Sequence, residues 1–495
     1  MSAVVVRTTG GTVEGDAHDG LAVFKGIPYA APPAGPLRFQ APAPPTEWDG
    51  VRPAREFGAA PPQLPLAPGM PSLWRPEDGL DCLSVNVWSP GSGGDRLPVM
   101  VWIYGGGWKS GSSSDPTHDG ATLARGGVVL VTFNYRVGFE GFGTVPGAPA
   151  NRGFLDQIAA LTWVQENISG FGGDPDNVTV FGESGGGASI AALLSAPAAH
   201  GLFRRAIVQS VAGRYLPEEE SRRIGAMTAE AVGVSPADLA TVAPEALLAV
   251  QDLPLAAMAA DPGAWTTPEA ITSSTPVIDG VTVVDLPWLA LRSGVARGVD
   301  LISGYTHDEF TLFALQRGLV RPDLSEMVKV DLDDVAATLG LDRAAPAQYR
   351  AAHPGMSDAQ LHTVMFSDSL FRMPATWLTE AHTAAGGRGY LYDFAWPSPA
   401  LGGALGACHT IDLPATFGNF DSPFAAFLLG GGSPSEDLLR LSERLRASWT
   451  SFASTGDPGW PQFSTDQALT RIWDAEPSVA ADPLAASRRI WRPLS

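Results

Sequence analysis

The sequence predicts an α/β fold with a doubly wound, mostly parallel sheet, and three observations carry that prediction. From Leu97 onward, strand-length apolar runs alternate with segments of helical period. Those strands are apolar at nearly every position, the pattern of a sheet covered by helices on both faces. The length of 495 residues, with 45% apolar and 17% charged, supplies a large core and is too apolar for disorder.

The first ninety residues are short apolar bursts (Ala3 to Val6, Leu21 to Phe24, Leu83 to Trp88) broken by Pro and Gly, including the run from Ala59 to Pro76. They predict small strands and irregular loop. The βαβ pattern then begins: strand PVMVWIY, a glycine loop, strand VVLVTFNY, and a helix whose Leu155, Ile158, Leu161, Val164 and Ile168 recur at spacings of three and four. Strand NVTVFG, helix SGGGASIAALL and strand RAIVQS follow. Residues 211–297 turn to Ala, Pro and Glu with helical spacing, which predicts a helical insertion without strands. Strand VDLISG (299–304) resumes the sheet, a second helical insertion covers about 311–387, and GYLYDFAW (389–396) reads as another strand. Leu438 to Ala453 is helical.

Charge and targeting narrow the function. A net charge of −20 repels phosphate backbones and anionic lipid, so nucleic acid is not an expected partner. The longest apolar runs are strand-sized, short of the ~20 residues of a membrane-spanning helix, so no membrane partner is expected. No basic region followed by an apolar stretch marks an export signal near the start. Cys82 and Cys408 cannot form a disulfide framework, and no CxxC or His/Cys cluster offers metal ligands; a cytoplasmic protein without metal or cofactor is expected.

Gly182-Glu183-Ser184-Gly185-Gly186 matches GxSxG between a buried strand and an Ala/Gly-rich helix. There the motif has mechanical meaning, because flanking glycines permit a sharp elbow that presents Ser184 at a helix N-terminus. Upstream, Tyr104-Gly105-Gly106-Gly107-Trp108 follows a strand, and its bare amides at Gly106 and Gly107, with that of Gly185, form a candidate oxyanion hole. A phosphate loop is excluded because Trp108 stands where GxxxxGK[ST] requires glycine. The base and acid should follow the serine in the order acid, then His. Beyond VDLISG, Asp308 and Glu309 are both acid candidates, with nothing internal to choose between them. Among the later histidines, His353, His362 and His382 fall in helical or surface-like stretches, whereas His409 lies in a loop past GYLYDFAW, at the sheet's carboxyl edge.

These residues resemble the type B carboxylesterases, which include bacterial para-nitrobenzyl esterases and the cholinesterases. The matching blocks run in family order along nearly the whole chain: FKGIPYAAPPAGPLRFQAP, LDCLSVNVWSP, VMVWIYGGGWKSGS, FNYRVGFEGF, GFLDQIAALTWVQENISGFGGDPDNVTVFGESGGG, FRRAIVQS and ACHTIDLPATFGN. The resemblance implies an α/β-hydrolase fold over residues 1–495 as one unit, helical insertions over the active site, and a serine esterase that hydrolyses short-chain or aryl esters through an acyl-enzyme. It implies Ser184 as nucleophile, Glu309 rather than Asp308 as acid, His409 as base, Gly106, Gly107 and Gly185 as oxyanion donors, and Ser210 as a support for the acid. Trp108 and Phe310 are expected to line the substrate pocket.

Departures from the family are informative. Gly185 replaces the usual alanine after the nucleophile, keeping the amide while loosening the backbone. The family's secreted members pair the DCL cysteine with one upstream, but Pro62 stands at that place, which implies a free Cys82. Cys408 reads as a packed small residue. Phe310 stands where glycine is common. Trp74 matches a cation-binding tryptophan of cholinesterases, yet Arg75 beside it argues against a quaternary ammonium substrate. A non-catalytic adhesion module on this fold would lack the nucleophile and carry an anchor. An acyltransferase or cyclase using the same triad is the alternative function. The protein is expected to act as a monomer on a small-molecule ester.

Overall fold

The computed structural model describes residues 2–65, 72–91, 93–266, 272–318 and 330–491. Part of the Pro-rich run and parts of both expected insertions (267–271 and 319–329) lie outside the described residues.

In chain order the strands are β1 (Ser2–Thr8), β2 (Gly11–His18), β3 (Leu21–Pro28), β4 (Val51–Pro53), β5 (Ser84–Ser89), β6 (Leu97–Ile103), β7 (Val129–Phe133), β8 (Gly173–Glu183) and β9 (Arg205–Gln209). They continue as β10 (Leu216–Pro217), β11 (Val277–Ile278), β12 (Asp300–Thr306), β13 (Gly389–Phe394), β14 (Leu469–Trp473) and β15 (Ser478–Ala481). One sheet has the order β1-β2-β3-β5-β7-β6-β8-β9-β12-β13-β14-β15, with β4 beside β2. Neighbours from β7 through β14 are parallel. The flanks β1-β2-β3-β5-β7 and β14-β15 are antiparallel. The sequence therefore locates the parallel centre, and the N-terminal bursts extend that same sheet rather than building a separate unit.

The apolar strands sit where both faces are covered. Val99, Met100, Val101, Trp102 and Ile103 of β6 are inaccessible to solvent, as are Val178, Val180 and Phe181 of β8. Full burial of each such side chain contributes about 1.5–3 kcal/mol of transfer free energy. β1 at the edge alternates exposed and partly buried residues instead. Helix Gly185–Leu193 packs on β8 and β9, helix Met373–Ala384 on β12 and β13, and helix Glu436–Thr455 on β6 and β8. The last buries Leu438, Leu441, Leu445, Trp449 and Phe452 at spacings of three and four. A buried Arg136–Asp156 ion pair at 2.7 Å joins the segment after β7 to helix Arg152–Asn167. Asp156 also accepts the Arg136 backbone N–H at 3.0 Å.

One expectation changes, and one pair of strands was not foreseen. Residues 211–297 do contain strands: β10 and β11 form a two-residue parallel pair. No periodicity can show in so short an element, and the pair is clamped from outside by Asn151, whose amide donates to the Val277 carbonyl and accepts the Val277 N–H, both at 2.8 Å. β14 and β15, unmarked by any apolar run, complete the far edge of the sheet. Among its described residues the first insertion otherwise carries helices Glu218–Ala231, Pro244–Val250, Leu253–Ala260 and Pro287–Ala290 joined by loops.

Candidate active site

β8 ends in a turn that only this run of glycines permits. Ser184 adopts φ 56° and ψ −121° between the strand and helix Gly185–Leu193. A Cβ at Gly182 would lie 2.6 Å from the Ile103 carbonyl oxygen, and one at Gly186 only 1.9 Å from it. At Gly187 the obstruction is the Gln209 carbonyl oxygen, at 2.5 Å. Neighbouring strands therefore press on the elbow from both sides and hold the serine in a backbone conformation that L-residues rarely adopt. The Ser184 N–H donates to the Gln209 carbonyl at 3.0 Å, which fixes the elbow's height above the sheet.

The side chains singled out in sequence converge there from distant segments. Ser184 Oγ lies 2.9 Å from His409 Nε2, and His409 Nδ1 lies 2.6 Å from Glu309 Oε2. Glu309 Oε1 accepts the Thr306 N–H at 2.9 Å, so both carboxylate oxygens are engaged. Ser184, His409 and Glu309 are 8%, 3% and 0% exposed, which strengthens these contacts by excluding water. Asp308 does not face the histidine: its carboxylate accepts the Ala407 N–H at 2.9 Å. His307 pairs with Asp393, and His362 packs on Phe366.

The glycine loop reaches the same place. Gly106 and Gly107 have φ of 91° and 61°, and the Gly106 carbonyl accepts the N–H groups of Lys109 and Ser110, closing a tight turn. The direction of a Cβ on Gly185 points at the nitrogens of Trp108 and Gly107, 3.2 and 3.3 Å away. The two loops that carry the candidate oxyanion donors are thus in van der Waals contact.

Three expected roles change. Ser210 Oγ is buried without a hydrogen bond to Glu309; the backbone of Thr306 supports that carboxylate instead. Trp108 is 2% exposed, its indole donating to Ser189 Oγ at 2.9 Å, so it packs behind the glycine loop. Phe310 is fully buried and stacks on Phe366 at 4.7 Å, part of the core rather than of an open pocket wall. Trp74 is likewise a packed indole, donating to the Gly79 carbonyl at 2.8 Å. Cys82 and Cys408 are both free and buried.

Sequence reasoning missed several neighbours of His409. The ring centroids of Phe371 and Phe313 lie 4.5 and 5.2 Å from that of the imidazole, tilted to it by 37° and 42°. Phe371 belongs to a π-helical turn, Asp368–Arg372, a geometry that no pattern of apolar residues announces. Glu183, the variable residue of GxSxG, places Oε1 3.2 Å from His409 Nε2. A carboxylate closing the mostly apolar run Val178–Gly182 was the available signal. Burial pushes Glu183 up to about 8, against the lowering effect of His409. Burial opposes charge on His409, yet Glu183 and Glu309 prevail and raise it to about 9. Asp412 is pushed up to about 6 by burial, against the Gln209 amide that donates to it.

Among the described residues, no group of His, Cys, Asp and Glu could hold a metal ion, and no helix is long and apolar enough to cross a membrane. The arrangement suits attack by a serine hydroxyl on a carbonyl, with proton transfer to an oriented imidazole.

Known proteins place this chemistry. The model of the carboxylesterase family matches residues 2–482. The para-nitrobenzyl esterase of Bacillus subtilis is 36% identical, over 99% of this chain and 98% of that protein. The phenmedipham hydrolase of Pseudarthrobacter oxydans is 35% identical over 97% of each. A solved thermophilic para-nitrobenzyl esterase superposes with a TM-score of 0.86 at 36% identity, covering 99% of both chains. These relatives are esterases and hydrolases, which favours hydrolysis over acyl transfer. Matched along its length in sequence and in structure, the chain belongs to the carboxylesterase family, has the α/β-hydrolase fold and is a hydrolase of carboxylic esters.

Proposed function

We propose that Ser184 is the nucleophile, His409 the general base and Glu309 the acid that orients it, with the amides of Gly106, Gly107 and Gly185 binding the oxyanion. The observation that carries this reading is the continuous relay from Ser184 Oγ through His409 to Glu309, at 2.9 and 2.6 Å. Ser184 Oγ attacks the ester carbonyl while His409 Nε2 takes its proton; the oxyanion's charge falls on the glycine amides, each donor lowering the barrier by about 2.7–4 kcal/mol. His409 returns the proton to the leaving alcohol. Water then repeats the sequence on the acyl-serine and releases the acid, while Glu309 holds the imidazolium at Nδ1 throughout.

The substrates are aryl and short-chain esters, in keeping with the para-nitrobenzyl esters for which the Bacillus relative is named. Phe313, partly exposed beside His409, supplies an aromatic face near the reacting carbonyl. In the same reading residues 1–495 form one catalytic unit that acts as a monomer in the cytoplasm, without a nucleic-acid partner. The free thiols support the compartment, and the charge of −20 supports the lack of a nucleic-acid partner. The test is an acid quench during turnover of 4-nitrophenyl butyrate, with the acyl adduct mapped by mass spectrometry. The adduct is expected on Ser184, and Ser184→Ala is expected to lose roughly 10⁴-fold in kcat with its fold intact. An adduct on another residue, or a Ser184→Ala protein of undiminished activity, overturns the assignment.

A further inference from the structure

We infer that Asp308 is a positioning residue: its carboxylate is a clamp that sets the height of the loop carrying His409, and what the reaction needs from it is a hydrogen-bond acceptor at one place, not a charge. The proposal rests on the reading of His409 as general base.

The connection from Phe394 at the end of β13 to helix Leu413–Phe417 contains no strand, yet His409 must meet partners to within a few tenths of an ångström. The bonds that hold its middle come from the acid loop. Asp308 N–H donates to the Ala407 carbonyl at 2.8 Å, and Ala407 N–H donates back to Asp308 Oδ2 at 2.9 Å. The backbones of Asp308 and Cys408 also form an isolated parallel bridge outside every named strand. One residue further on, the His409 N–H donates to the Glu309 carbonyl at 3.3 Å.

The fit around the carboxylate is close. Gly406 has φ 57°, and a Cβ there would lie 2.3 Å from Asp308 Oδ2, so the loop backbone rests directly on the Asp308 side chain. On its other side Gly406 is tied down by the Ser398 N–H, which donates to its carbonyl at 2.8 Å. The acid loop is in turn anchored: His307 N–H donates to the Phe394 carbonyl at 2.9 Å, and Arg372 from the π-helical turn donates to the His307 carbonyl at 3.0 Å. The two neighbouring carboxyls therefore divide the work. Glu309 faces the imidazole, and Asp308 fixes the backbone from which the imidazole hangs. Removing the clamp lets the loop lift without touching the substrate site, and a misplacement of about 1 Å costs on the order of 10²-fold in rate.

The test separates acceptor geometry from charge. Asp308→Ala removes both, Asp308→Asn keeps an acceptor at the same reach, and Asp308→Glu keeps the charge one methylene too far. With 4-nitrophenyl acetate, Asp308→Ala is expected to lose about 100-fold in kcat with KM within about threefold, and amide hydrogen exchange is expected to quicken at residues 404–410 but not in β6 or β8. Asp308→Asn should recover kcat to within about fivefold of the parent, while Asp308→Glu should not. Asn and Glu are conservative enough to carry the comparison if the alanine variant does not fold. Asn as damaging as Ala, Glu fully active, or Ala indistinguishable from the parent each overturns the clamp. His409→Ala is the control on the underlying reading: if it retains full activity, the base assignment fails and the clamp falls with it, whereas an inactive His409→Ala beside a fully active Asp308→Ala removes the clamp alone.

Discussion

Replacing Glu309 by glutamine asks one atom-for-atom question of the site. Both carboxylate oxygens accept hydrogen bonds, Oε1 from the Thr306 N–H at 2.9 Å and Oε2 from His409 Nδ1 at 2.6 Å. Glutamine fits the same space but brings one acceptor and one NH₂ donor. If the amide oxygen stays on Nδ1, the NH₂ faces the Thr306 N–H, donor against donor in a fully buried place. If it turns to satisfy Thr306, the NH₂ faces Nδ1, and the imidazole must carry its proton on Nε2, toward the serine whose proton it should take. Either way the productive tautomer is disfavoured, and the imidazolium loses its neutralising charge. By analogy with the same carboxylate-to-amide change in serine proteases, the expected loss is ~10⁴-fold in kcat, about 5.4 kcal/mol of barrier. The fold should survive, because glutamine matches the shape and removes a buried charge. The assay is turnover of 4-nitrophenyl acetate across pH, normalised by active-site titration. Loss of a carboxylate that raises His409 should also move the acid limb of the profile to lower pH. A variant within tenfold of the parent, with an unshifted acid limb, would show that Glu309 is not the orienting acid.

Three further outcomes follow from the same geometry. His409 accepts a proton only when neutral, and although burial opposes its charge the neighbouring carboxyls raise it above the ordinary histidine value of ~6.5, so kcat/KM should climb with pH through neutrality; a profile flat from pH 6 to 9 with chemistry rate-limiting contradicts this. Gly185→Ala places a methyl 3.2 Å from the Trp108 nitrogen, a tight but passable fit at a helix start; activity should stay within tenfold, with stability to urea raised by about 0.5–1 kcal/mol, and a collapse of activity would show that the loops cannot give. Cys82 and Cys408 are buried free thiols pushed up by burial, so reductant should change neither activity nor melting temperature; two thiols titrated after denaturation without reduction would agree, and none would not.

What the sequence determined by itself was local. The parallel centre of the sheet is written in runs of apolar residues, and the elbow at Ser184 in glycines whose missing side chains make room for neighbouring carbonyls. Both are readable because period and steric demand are properties of a few consecutive residues. The edge strands β14 and β15 and the pair β10–β11 escaped such reading, since short strands exist only through the partners they meet. The choice of Glu309 over Asp308 as the acid came from the family resemblance and not from any local pattern, for a deeper reason. The two carboxyls are chemically alike and adjacent, and only docking of the loop around Ala407 turns one to a backbone amide and the other to an imidazole. The same holds for Glu183, Phe371 and Phe313 around His409, and for Trp108 and Phe310, which packing drew into the core. Ser184 and His409 are separated by 225 residues, and Glu309 and His409 by 100. Orientation at such separations is settled by close packing of segments that carry no local record of one another, so chemistry can be nominated from sequence while the direction each side chain faces is decided by tertiary contact.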